Sequence, residues 1–380
     1  MKRIIATLLV LATILTVSAC KKKANYDPIE STEEEARTVM TFVMDEKEYE
    51  VKYELYRAFF LTYKSYVDGG DKDAWTGSSK HVYIERINAM ILDRIAEIYA
   101  AFAICEKIGF DVYSEDVEKE IKEHVRISIE GGSYGEETVE GYDSYEDYLA
   151  ALKEKNLNYS VQTLLFRYAI ATDAINTHYI GTARADDVNY DITLGSIEYT
   201  KDDVKSFFLG DECAMILRAS YLKALSTTPE EKAEELRAII EDAATSNTTL
   251  EAKETAVFKA MMAANIYTGD LVIGKYDRFN PKGTYLGEMS DEDVVNAAIG
   301  ISEGDVSEPI DSVTESGEAY AILYKTYKTD AYFEENYENI RYVYLTNYVG
   351  KITSDVIDSL KASISYSDVL TNINYSEIGM

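Results

Sequence analysis

Histidine is scarce in this sequence: 380 residues contain three, His81, His124 and His178. They stand far apart, with no metal-ligand spacing, so surface or capping roles are expected and no metal site is. No Ser–His–Asp arrangement can be argued, and no glycine loop has a phosphate-binding pattern. Acid pairs such as Glu115 with Glu118 read as solvated helix faces rather than glycosidase carboxylates. No cofactor is expected. Cysteine is scarce too. Beyond Cys20 there are only Cys105 and Cys213, which make no disulfide framework and read as buried free thiols, with one disulfide left open. Positive charge is in deficit, with 38 basic against 68 acidic residues and a net of -30. That balance argues against nucleic acid and against a polybasic grip on anionic lipid. After the first 20 residues no run is long and apolar enough to span a bilayer. Tryptophan occurs once, at Trp75, whereas tyrosine occurs 32 times. The tyrosines fit either a promiscuous binding surface or the compositional habit of an acidic protein.

The first residues carry the clearest signal. Lys2 and Arg3 precede the apolar run Ile4 to Val17, which suits a signal-peptide core. The run ends in Val17-Ser18-Ala19-Cys20. This resembles the lipobox of bacterial lipoproteins, in which small residues fit a narrow peptidase groove and the cysteine thiol takes the lipid. The resemblance implies a signal peptide over 1–20, acyl chains such as palmitate on Cys20, and a body held outside the cytoplasmic membrane. Two or three acyl chains hold a protein firmly. The mature chain, without Lys2 and Arg3, has a net charge of -32.

Residues 21–38 are polar, contain Pro28, and are expected to form a flexible tether. A short hairpin over Val39 to Glu50 leads to a helix from Tyr53 to Val67, stopped by Gly69-Gly70. Ile84, Ile87, Ile91, Ile95 and Ile98 form one face of a helix over His81 to Cys105. Ser114 and Ser144 look like caps for two further helices, and Val161 to Ile180 reads as another. Asp186 to Tyr199 reads as turn-like, and Thr200 as a cap for Lys201 to Phe208. The pattern then changes. Cys213 to Leu222 reads as a strand, and Thr228-Pro229-Glu230-Glu231 as a capped helix start. Residues 252–266 read as a helix, Gly269 to Gly287 as a loop, and Ser290 to Gly300 as a short helix capped by Ser290. Ala319 to Thr326 reads as a final strand. Alternation of strand and helix here describes a small α/β domain. From Tyr332 the chain returns to helix, with a long amphipathic segment from Tyr342 to Ile364 that needs a packing partner.

Several of these segments resemble the PrsA and SurA group of extracytoplasmic foldases. The opening hairpin and helix, the run Ile108-Gly109-Phe110-Asp111-Val112-Tyr113-Ser114-Glu115-Asp116-Val117, and the stretch Tyr199 to Phe208 each carry part of the likeness. So does Gly304-Asp305-Val306-Ser307-Glu308-Pro309-Ile310, which is similar to a parvulin turn. Gly283-Thr284-Tyr285-Leu286-Gly287 is a weaker match. The resemblance implies an α+β fold: a mostly helical SurA N-terminal-like chaperone domain with an inserted parvulin-like (FKBP-like) α/β domain. The helical domain would span 39–210 and be completed by 329–380, and the parvulin-like domain would span 211–328 with a four-stranded sheet. The implied partners are unfolded or partly folded exported proteins.

The parvulin pattern places one histidine on the first strand and another on the last, with an acid or thiol between them. Cys213 to Leu222 has no histidine, and Ala321 stands where the second is expected. Asp270, or Asp277, is the candidate acid, and Cys213 comes too early to serve as the thiol. Leu286, Met289, Val295 and Ile299 are the candidate apolar floor for peptide binding; each equally suits an ordinary core. The leading expectation is therefore a membrane-anchored chaperone or foldase without normal prolyl isomerase chemistry. A weakly active peptidyl-prolyl isomerase and a non-catalytic surface scaffold are the alternatives.

Overall fold

The computed structural model describes residues 26, 28–71, 73–134, 137–186, 189–210, 213–246, 249–263, 267–274, 289–314 and 317–378. Cys20, Asp277 and Leu286 lie outside these residues. The fold is mostly helical α+β. It divides into two compact units: Met1–His178 with Thr353–Met380, and Tyr179–Ile352.

The first unit opens with antiparallel strands β1 (Thr38–Met44) and β2 (Lys47–Lys52). Asp45 and Glu46 join them with φ of 50° and 66°. Two successive left-handed residues let a two-residue hairpin follow the strand twist. Helix α1 (Tyr53–Asp68) follows at once and stops at Gly69, whose φ of 56° suits glycine. Helix α2 (Lys80–Lys107) buries Ile87, Ile91, Ile95 and Ile98 along one stripe. Each such side chain contributes about 1.5–3 kcal/mol when fully buried. Helix α3 (Glu115–Glu130) starts where Ser114 Oγ accepts from the Val117 N–H at 3.4 Å. After the short pair β3 (Gly132–Tyr134) and β4 (Glu137–Val139), Ser144 Oγ accepts from Asp147 N–H at 3.1 Å and begins α4 (Tyr145–Glu154). Helix α5 (Tyr159–Tyr179) follows.

In the second unit, β5 (Gly181–Asp186) and β6 (Asn189–Leu194) pair as a hairpin. Asp186 to Tyr199 was expected to be turn-like. The alternation Tyr190, Ile192, Leu194 was the strand signal, hidden by the polar residues between. Thr200 and Asp203 form a reciprocal capping box at α6 (Lys201–Leu209). Strand β7 (Cys213–Leu222) leads to α7 (Pro229–Thr245) and α8 (Leu250–Ala263). The Thr228 side chain does not cap α7; its own N–H donates to Ser226 Oγ at 3.0 Å instead.

Strand β8 (Tyr267–Gly274) occupies the first part of the expected Gly269 to Gly287 loop. Gly269 and Asp270 disfavour a strand locally, but pairing with β7 overrides that preference. Helix α9 (Met289–Gly300) begins before Ser290, so Ser290 lies inside it rather than capping it. Strands β9 (Ile310–Thr314) and β10 (Gly317–Lys325) close a four-stranded antiparallel sheet in the order β8-β7-β10-β9. Its two faces bury different clusters. Leu217, Ala219, Ile322 and Tyr324 pack with α7 and α8 residues, while Ala214, Ile216, Ala321 and Leu323 pack with Val294 and Ala298 of α9. Strand alternation puts the two sets on opposite sides.

Helices α10 (Asp330–Glu335) and α11 (Tyr337–Ala362) follow. The boundary between units falls within α11. Beyond it, β11 (Ser365–Tyr366) adds a third strand to β1, and α12 (Asp368–Thr371) follows. That edge strand is only two residues long and left no periodic trace in the sequence. The first unit also holds part of the expected tether. Tyr53 N–H donates to Arg37 C=O at 2.8 Å, and Ser31 Oγ donates to Glu54 at 2.5 Å. Ser31 and Arg37 of that segment are thus hydrogen-bonded to the body. Among the described residues, no helix is long and apolar enough to cross a membrane.

Candidate functional site

The second unit contains no histidine, since all three lie at or before His178. His81 is exposed on the first turn of α2. His124 lies 5.2 Å from the Phe166 ring, and burial lowers its pKa against the pull of Glu120. Among the described residues, no three histidine, cysteine or acidic side chains gather as a metal site.

Ala321 of β10, at the expected histidine position, faces Ser220 of β7 on one side and Ile310 of β9 on the other. The Arg218 guanidinium reaches across β10 to donate to Ser312 Oγ at 2.6 Å. Arg218 pairs in register with Leu323, and Ser312 with Ala319. The small Ala319 and Ala321 side chains leave room for that crossing. Ser220 is buried, and its hydroxyl has no hydrogen-bond partner among the described residues. Arg218 is a donor only, and Ser312 Oγ accepts from it, so the described pair on this face ties β7 to β9 across β10.

Asp270 lies in edge strand β8, opposite Leu217 in the ladder. Met289 and Val295 belong to α9, and their side chains lie outside the described residues. Ile299, also on α9, packs against the cluster formed by Ala214, Ile216, Ala321 and Leu323. Of the six candidate acid and floor residues in this unit, only Ile299 has described side-chain packing, and that packing is core. Cys213 is buried with Val204, Phe208, Met215 and Phe333. Cys105 is buried in the first unit, and burial pushes its thiol up to about 12. Among the described residues neither cysteine forms a disulfide.

The glycine–acid–valine–serine turn has a structural role. Gly304 N–H donates to Lys325 C=O at 2.7 Å, and Ser307 N–H to Leu323 C=O at 2.8 Å. Ser307 Oγ accepts from Leu323 N–H at 2.9 Å, and Val306 bridges Tyr324. The turn is thereby laid along β10. Gly304 has a φ of 88°, and a Cβ there would meet the Tyr327 hydroxyl at 2.2 Å. Lys325 was not singled out by sequence. Its buried ammonium donates to the Ile299 and Ile301 carbonyls at 3.0 and 2.9 Å, closing the end of α9. Tyr324 is buried on the other face; desolvation pushes its phenol up to about 12, and its hydroxyl has no hydrogen-bond partner among the described residues. A cleft of about 440 Å³ opens between α7, the end of α9 and this turn, lined by Glu241, Thr245, Ile301, Gly304 and Val306.

No protein-family model matches the chain. No curated protein matches it either. Among solved structures, foldase protein PrsA from Lactococcus lactis is 14% identical and aligns over 90% of this chain and 100% of its own, with a TM-score of 0.25. PrsA from Streptococcus pneumoniae is 14% identical over 89% of this chain and 99% of its own, with a TM-score of 0.26. The peptidylprolyl isomerase PrsA from Bacillus anthracis is 18% identical over 72% of this chain and 99% of its own, with a TM-score of 0.28. Likenesses at these scores assign no activity to this chain.

Proposed function

We propose that this chain is an extracytoplasmic chaperone of the PrsA type, anchored through lipid on Cys20, that holds unfolded exported polypeptides without prolyl isomerase chemistry. The observation that carries the reading is a four-stranded sheet unit, free of histidine, inserted in sequence within a helical unit. The lipobox-like Val17-Ser18-Ala19-Cys20 supports the location. Rotation about an Xaa–Pro bond faces a barrier of roughly 20 kcal/mol. Lowering it requires groups that favour the twisted amide over the planar one. Ala321 supplies none, and Arg218 is a donor committed to Ser312. What remains is a surface for extended chains, recognised with little sequence specificity.

Two assays on the lipid-free protein test this. A proline-free unfolded client should aggregate less in its presence, and an Xaa–Pro peptide should isomerise at the uncatalysed rate. A rate above background that disappears in Asp270→Ala would replace the reading with that of a weak isomerase. Failure to suppress aggregation, together with no isomerisation, would favour a scaffold that binds one partner.

A further inference from the structure

The chain between Cys20 and the folded body is short, and its first described residue is docked. Tyr26 lies six positions after Cys20. Its ring centroid is 5.4 Å from that of Tyr145, at an angle of 53°. Its hydroxyl donates to Glu130 Oε1 at 3.2 Å, and Glu130 Oε2 accepts from Arg126 at 2.7 Å. Burial, then the Glu130 carboxylate, raises the Tyr26 phenol above its usual range and keeps it a donor. The ring sits against the cluster of Val125, Ile129, Tyr148 and Leu152.

A second tie follows five residues on. The Glu54 carboxylate accepts from Ser31 Oγ at 2.5 Å, Asn158 Nδ2 at 2.8 Å and Ser160 Oγ at 2.7 Å. The segment leading out of the body is therefore held at two points, of which Tyr26 is the nearer to Cys20.

We infer that Tyr26 fixes which end of the first unit faces the lipid surface: the end where α3 finishes and α4 begins. The inference rests on the lipidation reading of Cys20. Six residues of chain reach at most about 20 Å. Glu130 and Tyr145, which Tyr26 touches, are then confined to that distance from the anchor. The 16 residues of α3 span about 24 Å, so the opposite end of α3, at Glu115, is free to stand away from the bilayer. With Tyr26 released, the next tie at Ser31 permits a reach of about 40 Å, and the preference is lost.

The test uses the full chain, processed in a bacterial host fed labelled palmitate and reconstituted in vesicles of phosphatidylethanolamine and phosphatidylglycerol containing nitroxide lipid. A fluorophore is attached through Glu140→Cys, near Tyr145 in sequence, or through Asp116→Cys, in the first turn of α3. Both native positions are exposed, and Cys105 and Cys213 are buried. Nitroxide quenching should be about twofold or more stronger at 140 than at 116, given the length of α3. Tyr26→Ala should bring the ratio close to one without changing palmitate incorporation or the melting temperature. Tyr26→Phe, which keeps the ring, should retain most of the difference. Equal quenching at both sites in a chain that carries palmitate overturns the orientation but not the anchor. Absence of palmitate, with Cys20→Ser fractionating like the unaltered chain, overturns the anchor and the orientation together.

Discussion

In the first unit the buried charges reach partners of complementary chemistry; in the sheet of the second unit two buried hydroxyls, those of Ser220 and Tyr324, find none among the described residues. Asp68 accepts from Trp75 Nε1 at 2.8 Å, Lys64 Nζ at 2.7 Å and Gly70 N–H at 2.9 Å. Arg94 and Glu97 pair at 2.5 Å, and Arg167 binds Glu118 and the Val112 carbonyl. In the second unit, Ser220 Oγ and Tyr324 Oη are buried on opposite faces of one sheet, without a hydrogen-bond partner among the described residues. An unmade buried hydrogen bond costs about 1–3 kcal/mol. A fold that carries two of them on adjacent strands gives up stability there. Such places tend to be where a sequence is kept for something other than packing.

The largest expected effect that would break this contrast is in the first unit. Asp68→Ala should lower stability by about 3 kcal/mol, since it strands the buried Trp75 N–H and removes the partner of Lys64. A loss of less than about 0.5 kcal/mol in the unfolding free energy from urea titration would show that the first unit does not depend on this network. The same carboxyl gives a pH signature. Burial alone would raise its pKa, but Lys64, Trp75 and the Gly70 N–H together hold it below the usual aspartate value. Its contribution is therefore complete above about pH 4 and lost as pH falls through the depressed folded value. The stability gap between the protein and Asp68→Asn should narrow below pH 4, read from denaturant titrations across pH.

A smaller effect is expected at the turn on β10. Gly304→Ala should cost about 1–2 kcal/mol, because φ of 88° disfavours any side chain. The Tyr327 ring tip can swing aside, so the backbone term dominates. Smallest, and opposite in sign, are Ser220→Ala and Tyr324→Phe. Each removes an unpartnered hydroxyl and should leave stability unchanged or raise it by up to about 1 kcal/mol. A loss above about 1 kcal/mol in either variant would reveal a partner for that hydroxyl and erase the contrast between the units.

Legibility in the sequence followed the strength of local signals. The isoleucine stripe of α2, the serine caps of α3 and α4, and the Thr200 cap of α6 were readable because each depends on residues within one or two turns. Strand β8 was not, because Gly269 and Asp270 look like a loop until β7 supplies a ladder. The pair β11 and β1 joins residues more than 300 positions apart through two register contacts, which no local pattern records. Arg218 was overlooked because its role depends on two alanines on the neighbouring strand. The Gly304 turn was visible as a motif, but its function is to lock β10, a matter of register rather than residue type.

The proposed holdase role requires that the chain bind unfolded polypeptide rather than the Xaa–Pro bond. The most direct test is the affinity of the lipid-free protein for one fluorescently labelled unfolded client in two versions, one with its prolines and one with every proline replaced by alanine. Equal Kd values are predicted, with no change in the cis–trans relaxation rate of the proline-bearing version. Binding that appears only when proline is present, with faster relaxation, would contradict the claim.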